Sequence, residues 1–466
     1  MARDLPNHVD TIIIGGGPSS LILSYILHGH IPRYAKPHHD PLLNTKLSRR
    51  PYLLDLTPDV YAHFQSSLRY STQALPINVL LDTLIRPNAD TEVNPESCIV
   101  WHYEPWRAVS HVVLSNAPEP GGQWAEKNQS SDEIGVLSYS EMLSLPGYSF
   151  ADHCAAHGKV SADLHRPSRR EVSEYIAAYP EAVGISDSFF RSIHVENVSR
   201  TENGFLVQSP NIHCDHLVLA TGIFTLNQKP PPHLAPIGHL SDPDKPLLVI
   251  GSGFSAADII LSTPPNRKVL HLFRWSPDTR PSPLRGCHHT AYPEYASVYR
   301  QMKLAAISSG KSEHAISPPP RRRRNPFFND RDWASFYEGL PNAEIVGIVM
   351  ESTSATLQIR LESGEVVERE VGGLFYNVGR RGSLDYLSAS LRREVLGTRG
   401  DATPPAGEHI SARTLRAKAE VDLEIAKNVF IIGSLTGDSL IRHAYGGCVY
   451  AAQKIMNPHT LDNRAL

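Results

Sequence analysis

Two glycine-rich turns are the parts of this sequence whose residue types and spacing could do chemistry. The first turn, Gly15-Gly16-Gly17, follows the β-branched run Ile12–Ile14 and precedes an apolar stretch at Ser19–Leu27. A strand, a glycine turn and a helix in this order leave backbone N–H groups free at the helix N-terminus, where the helix dipole also favours an anion. The turn therefore predicts a pyrophosphate site, although a single glycine fingerprint is equally typical of a structural turn.

The second turn repeats the same order of elements much later in the chain. Leu247–Ile250 is a predicted strand, Gly251 and Gly253 form the turn, and Ala256–Leu261 is a predicted helix. The spacing here is G-x-G-x-x-A, whereas the first fingerprint is G-x-G-x-x-S because Ser20 takes the third small position. Two fingerprints so far apart predict two separate nucleotide-binding units, for which a structural turn offers no joint explanation.

Two further strand-and-turn segments fit the same architecture. His216–Gly222 (HLVLATG) is a predicted buried strand that ends in a small-residue turn. Val429–Gly433 (VFIIG) is a late predicted strand that runs into Ser434–Asp438. The fold class expected from these segments is α/β, with parallel strands and glycine turns at their carboxyl ends.

Composition excludes several classes of protein. The chain has 466 residues, which is more than one hydrophobic core normally fills, so two or three subdomains are expected. A formal net charge of −3 gives no electrostatic case for nucleic acid or an anionic membrane as a partner. Five widely spaced cysteines favour a reducing compartment. Because neither a signal peptide nor an apolar run of about 18 residues occurs, we expect a cytoplasmic protein without a membrane span.

A third glycine motif indicates the class of ligand. His111–Leu114 is a predicted strand that leads into Gly121-Gly122-Gln123-Trp124. This G-G-x-W segment resembles that of flavin monooxygenases, the class that includes N-hydroxylating and Baeyer–Villiger enzymes. The resemblance implies that the glycines let the backbone approach the flavin and that Trp124 forms a wall of its site. Arg166–Tyr175 and Tyr292–Tyr295 are also similar to segments of the N-hydroxylating members.

An arginine ends the predicted second strand of the second unit, in the segment Leu272-Phe273-Arg274. At that place an arginine can bind the 2′-phosphate of an adenosine bidentately, which would select NADPH over NADH. The alternative is an exposed arginine without a ligand.

Four longer blocks, residues 78–90, 137–150, 377–387 and 432–447, resemble the oxidative-stress-induced growth inhibitor family, which is itself monooxygenase-like. The resemblance implies two dinucleotide-binding (Rossmann-like) domains, with the NADPH domain inserted in the FAD domain. The expected boundaries are 1–240 for the first part of the FAD domain, 241–375 for the NADPH domain and 376–466 for the C-terminal part of the FAD domain. Residues 31–110 would be a family insertion and residues 276–330 a substrate loop.

The expected cofactor contacts form two sets. For FAD they are Gly15, Gly17, Pro18, Ser19, Ser20, Ser115, Gly121, Gly122, Trp124, Ala220, Thr221, Gly222, Gly433 and Asp438. For NADPH they are Gly251, Gly253, Phe254, Ser255, Ala256 and Arg274. No metal site is expected, because Cys287-His288-His289 has no second cluster at ligand spacing.

Three features depart from the flavin monooxygenase patterns. The acid that normally ends the second strand and binds the flavin-side ribose is replaced by Ser115 or Asn116. The Baeyer–Villiger motif is missing around His239, which argues against ketone oxygenation. The asparagine that flavin-containing monooxygenases place near the flavin is missing as well. The candidates for a polar substitute at that catalytic position are Ser138, Tyr139 and Ser140.

The resemblance implies an FAD- and NADPH-dependent monooxygenase. NADPH would reduce the flavin, and a nitrogen or sulfur atom of a small-molecule substrate would attack the flavin hydroperoxide formed with molecular oxygen. A role in tailoring a secondary metabolite is one expectation. A catalytically weak, flavin-binding regulatory protein of the growth-inhibitor type stays open as the alternative. A disulfide reductase is set aside, because it needs a redox-active cysteine pair beside the flavin.

Overall fold

The computed structural model describes residues 4–55, 74–87, 96–125, 132–309, 331–397 and 409–457. The chain divides into two compact units. The first unit consists of Met1–Lys127, Ser138–Leu226 and Arg381–Leu466, and the second of Asn128–Leu137 and Asn227–Arg380. The second unit therefore interrupts the sequence of the first, and it extends beyond the predicted segment 241–375 at both ends. Among the described residues, no helix is both long and apolar enough to cross a membrane.

The helices and strands of the described residues are as follows. The α-helices are α1 (Pro18–Leu27), α2 (Pro41–Ser48), α3 (Pro76–Ile85), α4 (Ser140–Leu143), α5 (Phe150–Ala156), α6 (Arg169–Ala182), α7 (Phe254–Ser262), α8 (Pro293–Ser309), α9 (Trp333–Phe336), α10 (Ala389–Leu396), α11 (Arg416–Ala419) and α12 (Tyr445–Met456). Short 3₁₀ helices cover Leu53–Asp55, Pro105–Arg107, Gly122–Ala125, Ser186–Ser188, Ala235–His239, Pro283–Gly286, Gly433–Thr436 and Ile441–His443. The strands are β1 (His8–Ile14), β2 (His30–Tyr34), β3 (Ile99–Tyr103), β4 (His111–Leu114), β5 (Phe189–Phe190), β6 (Glu196–Thr201), β7 (Gly204–Ser209), β8 (Ile212–Leu219), β9 (Leu226–Asn227), β10 (Leu247–Ile250), β11 (Val269–Phe273), β12 (Tyr337–Pro341), β13 (Glu344–Met350), β14 (Ala355–Arg360), β15 (Val366–Val371), β16 (Leu374–Tyr376), β17 (Arg380–Arg381), β18 (Glu424–Ala426) and β19 (Val429–Ile431).

The first unit is built on an eight-stranded sheet with the order β18-β19-β8-β1-β4-β5, to which β7 and β6 are added beside β8. Strands β19, β8, β1, β4 and β5 pair in parallel. Ile12 and Ile13 of β1 are fully buried, as expected for a central parallel strand that is covered on both faces. The chain first moves from β1 to β4 and β5, and later returns to the other side of β1 with β8. The strand order therefore reverses beside β1.

The predicted insertion between α1 and β4 contains a small antiparallel pair, β2 with β3, together with α2 and α3. Most of the described part of the family-like block 78–90 lies in helix α3, which begins at Pro76 and ends at Ile85. This helix buries two polar side chains, Asn78 and Asp82, as well as its leucines. Burial of polar groups on a helix indicates specific partners.

The second unit has a four-stranded parallel sheet, in the order β12-β11-β10-β16, and a three-stranded antiparallel sheet, β13-β14-β15. Both sheets surround an apolar core that includes Leu248, Leu270 and Leu357. A segment that the sequence analysis did not assign to this unit also packs on it. Leu137 contacts a separate apolar cluster of this unit, which includes Val249 and Val298. The backbone carbonyl of Leu137 accepts a hydrogen bond of 3.0 Å from the Tyr292 hydroxyl.

Candidate functional site

A cavity of about 910 Å³ lies in the first unit, at the carboxyl ends of its parallel strands. Its lining includes Gly15–Ser19 after β1, Asn116–Pro118 after β4, Ala220–Gly222 after β8 and Gly433–Ser434 after β19. This is the edge of the sheet at which the strand order reverses. Open α/β sheets bind their ligands in the crevice at such a point.

The first glycine turn has no room for a side chain at Gly15 or Gly16, and it is open at Gly17. Gly15 has a φ of +115°, and a Cβ added there would lie 2.4 Å from the Ala220 carbonyl oxygen. At Gly17, by contrast, an added Cβ would meet no atom within 4 Å. Gly17 is the N-cap of α1 and that helix has no side-chain cap, so its N-terminus faces the cavity as a site for an anion.

The G-G-x-W segment lies directly on this turn. The Gly121 N–H donates a hydrogen bond of 2.8 Å to the Gly16 carbonyl oxygen. Gly122 has a φ of +57°, and a Cβ added there would lie 3.1 Å from the Cα of Gly17. Trp124 is half-buried and lines the cavity. Because the backbones touch at the glycines, the loop can form a wall only with small residues at these places.

An arginine of the segment that resembles N-hydroxylating enzymes holds this loop. The Arg169 guanidinium donates a hydrogen bond of 2.9 Å to the Gln123 carbonyl oxygen. Arg169 is the first residue of α6, whose start is fixed by a capping box between Ser168 and Glu171. The segment Arg166–Tyr175 therefore stabilises the G-G-x-W loop through a hydrogen bond to its backbone.

Small residues also close the cavity on the β8 and β19 side. Gly433 has a φ of +64°, and a Cβ added there would lie 2.5 Å from Ser19 Oγ. The Ser434 hydroxyl accepts a hydrogen bond of 3.2 Å from the Ile223 N–H. Tyr386 lines the same cavity, and its hydroxyl lies 3.2 Å from Thr221 Oγ1. Burial raises the pKa of Tyr386, so its hydroxyl keeps its proton at neutral pH.

Asp438 lines the cavity, but its carboxylate is bound by other parts of the chain. The Leu75 N–H and the Asn78 side-chain amide donate hydrogen bonds of 2.8 and 2.7 Å to Asp438 Oδ2. Arg416 donates one of 2.7 Å to Oδ1. Asp438 is only 8% exposed, so these contacts compensate the cost of burying its charge.

The structure brings most of the residues predicted to contact FAD to this one cavity. Those that line it are Gly15, Gly17, Pro18, Ser19, Gly121, Gly122, Trp124, Ala220, Thr221, Gly222, Gly433 and Asp438. Ser20 and Ser115 do not line it, because both are buried behind the turn. The Ser115 hydroxyl accepts a hydrogen bond of 3.3 Å from the Ala117 N–H, and Asn116 reaches the cavity instead.

The three residues proposed for the catalytic position lie elsewhere in the first unit. Ser138, Tyr139 and Ser140 are not among the residues that line the cavity. Ser140 is buried at the start of α4, and its N–H donates a hydrogen bond of 2.9 Å to the His165 carbonyl oxygen. Their catalytic role stays a prediction.

Other residues that line the cavity were not among the predicted cofactor contacts. They are Gln123, Ile193–Glu196, Phe224–Leu226, Ser383, Asp385, Tyr386, Ser439–Ile441 and Ala444. The position of Ile193 depends on a backbone hydrogen bond to the Ser115 carbonyl oxygen, which no side-chain pattern reveals. Gln123 lies within the G-G-x-W segment, and the lining residues at 383–386 and 439–444 lie within the family-like blocks 377–387 and 432–447. For these residues, position within a recognised segment was the available signal.

The second unit contains a glycine turn of the same kind. Gly251 has a φ of +147°, and a Cβ added there would lie 2.2 Å from the Asn377 carbonyl oxygen. Gly253 is the N-cap of α7, which has no side-chain cap, and an added Cβ would meet only Pro283 Cγ, at 3.9 Å. Ala256 is buried close to Gly251 and permits the tight approach of helix and strand, whereas Ser255 is exposed.

A buried histidine supports this second turn. His271 Nε2 lies 2.6 Å from the Gly251 carbonyl oxygen, and Nδ1 lies 2.7 Å from the Tyr337 hydroxyl. Burial lowers the pKa of His271 to about 4, so the ring is neutral at pH 7. Because a carbonyl oxygen only accepts, Nε2 carries the ring hydrogen and Nδ1 accepts from Tyr337.

Arg274 lies just beyond β11, which ends at Phe273, one residue before the predicted end of the strand. Its side chain is exposed and makes no hydrogen bond or ion pair with any residue in the described part of the chain. Within the described residues, the five N–H donors of the guanidinium are not used.

Comparison with known proteins places this geometry in context. No protein-family model matches the chain. Oxidative stress-induced growth inhibitor 1 from Homo sapiens is 26% identical over 496 residues, which cover 96% of this chain and 95% of the relative. Oxidative stress-induced growth inhibitor 2 from the same species is 27% identical, over 94% of this chain and 91% of the relative. The chain resembles these growth inhibitors along nearly all of its length.

Solved structures show a shared fold. The bacillithiol disulfide reductase Bdr (YpdA) from Staphylococcus aureus is 14% identical and matches with a TM-score of 0.51, covering 97% of this chain and 99% of the reductase. A mutant flavin monooxygenase from Stenotrophomonas maltophilia is 15% identical over the same shares of both chains, with a TM-score of 0.49. The likeness to the reductase shows that this chain has a two-unit α/β fold found in such enzymes.

Proposed function

We propose that this chain is an FAD- and NADPH-dependent monooxygenase that oxygenates a small-molecule substrate at nitrogen or sulfur. The observation that carries the proposal is the cavity at the carboxyl ends of β1, β4, β8 and β19. Its volume of about 910 Å³ is at the upper end of ligand pockets, which suits a dinucleotide. The fold shared with the bacillithiol disulfide reductase supports an oxidoreductase, and the resemblance of Gly121-Gly122-Gln123-Trp124 to flavin monooxygenases favours oxygenation.

The residues of the cavity fit FAD in the following way. The open backbone at Gly17 and the uncapped N-terminus of α1 would bind the pyrophosphate. Gly122 would let the cofactor approach the backbone, and Trp124 would exclude water from one side. The Tyr386 hydroxyl, which burial keeps protonated, is a hydrogen-bond donor for polar groups of the ligand. When bound and reduced by NADPH, FAD would supply the activation of molecular oxygen.

The second unit would bind NADPH. The turn at Gly251 and Gly253 offers free backbone N–H groups at the start of α7 for the pyrophosphate. Arg274, which lacks a partner in the described part of the chain, would bind the 2′-phosphate that distinguishes NADPH from NADH.

A second candidate function is a flavin-binding regulatory protein with weak turnover. Two observations favour it: the acid expected for the ribose contact is replaced by the buried Ser115, and the relatives are named as growth inhibitors. The two candidates agree on FAD and differ on whether substrate speeds the oxidation of NADPH.

The deciding experiment measures flavin absorbance of the purified protein and then NADPH oxidation with candidate amines and thioethers. The proposal expects a yellow protein and an oxidation rate that rises with substrate. In the variant Gly253→Val, flavin should stay bound while NADPH oxidation falls about a hundredfold, because the bulky side chain fills open space at the second turn.

Three results would contradict the proposal. A colourless protein that takes up no FAD would remove its basis. A yellow protein whose NADPH oxidation ignores every substrate would favour the regulatory candidate. Oxidation stimulated by disulfides instead of amines or thioethers would point to a reductase, although the five cysteines form no disulfide in the structure.

A further inference from the structure

One segment of the cavity wall is held at both ends by the same helix. Residues 439–441 line the cavity, and they lie between Asp438 and Arg442. Both of these flanking side chains bind to helix α3, which belongs to the region predicted as a family insertion. Helix α3 is about 360 positions away in sequence, so this contact is formed only by the fold.

The first attachment point is Asn78. Its side-chain amide nitrogen donates to Asp438 Oδ2 at 2.7 Å, and its amide oxygen accepts a hydrogen bond of 2.9 Å from the Gly447 N–H. Asn78 is only 2% exposed. One buried amide thus joins Asp438 to the start of α12, and no solvent is available to replace either bond.

The second attachment point is Asp82, one helical turn further along α3. Arg442 donates from Nε and Nη2 to Asp82 Oδ2, at 2.8 and 2.5 Å. Arg86 donates to Asp82 Oδ1 at 3.1 Å, and it also binds the Glu141 and Ser144 carbonyl oxygens. Asp82 and Arg86 are each 6% exposed, so loss of one partner would leave a buried charge without compensation.

Close packing fixes the spacing between the two helices. A Cβ added at Gly446, in the first turn of α12, would lie 2.3 Å from the Ile77 carbonyl oxygen of α3. The backbones therefore touch, and α12 cannot shift towards α3. Tyr445 beside it donates from its hydroxyl to the Ser144 carbonyl oxygen at 2.6 Å.

From these contacts we propose that α3 is a positioning element of the FAD cavity, in which Asn78 and Asp82 are positioning residues for the wall at 439–441. The inference rests on the proposed function, because it assumes that FAD occupies the cavity. It also assigns a role to Asp438: the carboxylate acts through the wall that it anchors, and α3 determines where that wall lies over the cofactor.

The first test needs no cofactor. Hydrogen exchange is measured by mass spectrometry on the full chain for the variant Asn78→Ala, which removes both amide bonds without adding a charge. Peptides that cover residues 438–447 should exchange about tenfold faster than in the wild type, whereas β14 in the second unit should be unchanged. The matched control is Thr83→Ala on the same helix, a half-buried residue that makes none of these bonds. Unchanged exchange at 438–447 in Asn78→Ala would overturn the proposal.

The second test links the helix to the cofactor. Asn78→Ala should weaken FAD binding about tenfold and change the visible circular dichroism of the flavin at saturating FAD, whereas Thr83→Ala should do neither. Faster exchange with an unchanged dissociation constant and spectrum would overturn the positioning role. Failure of the wild type to bind FAD would instead refute the proposed function, and the exchange experiment would still decide whether α3 holds the wall.

A paired substitution gives a stricter check. Asn78→Asp places a second carboxylate against that of Asp438, and the two repel each other. Hydrogen exchange at residues 438–447 should therefore be faster than in Asn78→Ala. The double variant Asn78→Asp with Asp438→Asn removes the repulsion and restores one donor and one acceptor at this contact, but it sacrifices the bond from the Leu75 N–H to residue 438. Exchange and flavin spectrum should therefore return part of the way towards the wild type. Absence of any recovery would contradict the direct pairing of these two side chains.

Discussion

The two glycine turns of this chain share a strand, a turn and an uncapped helix, but they differ in what surrounds them. The turn at Gly15 is enclosed by the backbone of Gly122 and by Gly433, which come from distant parts of the first unit. The turn at Gly251 is closed at its first glycine by the Asn377 carbonyl oxygen, and it is open at Gly253 just as the first turn is open at Gly17. Both turns leave the helix N-terminus accessible, and they differ in the parts of the chain that close them.

Each unit has a buried histidine on the strand next to its glycine turn, and the two histidines contact different parts of the turn and helix. In the first unit His111 of β4 binds the Ser24 hydroxyl at 2.9 Å, on the helix that follows the turn. In the second unit His271 of β11 binds the turn itself, at the Gly251 carbonyl oxygen. Backbone contacts from Gly121 support the first turn, whereas a side chain supports the second. The support of the second turn can therefore be removed by substituting a single side chain, His271.

The largest effects are expected from adding a methyl group at the first glycine of each turn. Gly15→Ala and Gly251→Ala force a positive φ on alanine and place its Cβ within 2.4 and 2.2 Å of a carbonyl oxygen. Each should destabilise its own unit by about 3 kcal/mol, as measured by urea unfolding. Gly15→Ala should also abolish FAD binding, and Gly251→Ala should abolish NADPH oxidation while flavin stays bound.

The control for this pair is Gly17→Ala, where φ is −81° and the added Cβ meets no atom. Its stability should fall by no more than about 1 kcal/mol, because alanine is a poorer N-cap than glycine but causes no steric clash here. If each of the variants Gly15→Ala and Gly251→Ala lost FAD binding and NADPH oxidation to the same extent, the two turns would not serve separate ligands.

Acidification should weaken both units through their buried histidines. Burial lowers the pKa of His111 and of His271 to about 4, whereas an unfolded histidine titrates near 6.5. The unfolded state therefore binds more protons between these values, and stability falls as pH drops from about 6.5 towards 4. Each histidine should account for about 2 kcal/mol of loss between pH 7 and pH 5.

Urea unfolding at the two pH values checks this expectation. His271→Gln and His111→Gln should each show a smaller loss between pH 7 and pH 5 than the wild type. A wild-type stability that is constant over this interval would contradict the burial of neutral histidines. Only His271→Gln should also raise the KM for NADPH, since only His271 contacts a glycine turn.

Arg274→Ala should raise the KM for NADPH about tenfold and leave the KM for NADH unchanged, because the guanidinium would bind the 2′-phosphate that NADH lacks. Steady-state rates with both nucleotides measure the effect. Arg360→Ala in β14 is the control, since that side chain pairs with Glu344 at the surface of the same unit. A parallel change in both KM values would refute the role of Arg274.

The smallest effect is expected at the place of the missing ribose acid. Asn116 is exposed and lines the cavity of the first unit. Asn116→Asp adds a carboxylate that can accept from a ribose hydroxyl, so FAD should bind two- to threefold more tightly, or about 0.5 kcal/mol. Titration of the FAD-free protein with FAD measures the dissociation constant. Ser115→Asp should instead destabilise the fold, because Ser115 is 1% exposed.

Local patterns in the sequence predicted the strands and helices on either side of both glycine turns. Ile12–Ile14 and Leu247–Ile250 lie in parallel strands, and the helices after each turn begin within two residues of the predicted positions. These elements depend on residues that are neighbours in sequence, such as a β-branched run followed by glycine. The segment 132–137 was not placed in the second unit, because the contact of Leu137 with Tyr292 joins residues far apart in sequence.

The sequence predicted the glycine positions of the cavity well. It predicted poorly those positions at which the orientation of a side chain determines whether the residue lines the cavity. The fingerprint could not reveal that Ser20 and Ser115 point into the protein, since a motif fixes a position and leaves the orientation of its side chain open. It also could not reveal the partners of Asp438, because Leu75 and Asn78 lie more than 350 positions earlier. Non-local pairing of this kind follows from the packing of α3.

The division of the first unit around the second has a consequence for biosynthesis. A ribosome makes the chain from the N-terminus at about 5–20 residues per second, so the turn at Gly15 emerges long before the wall at 439–441. The second unit has all of its residues available by Arg380 and can fold first. The cavity of the first unit is complete only when the C-terminal segment arrives, so a chain stopped near residue 430 would carry the first glycine turn without the wall that closes the proposed FAD site.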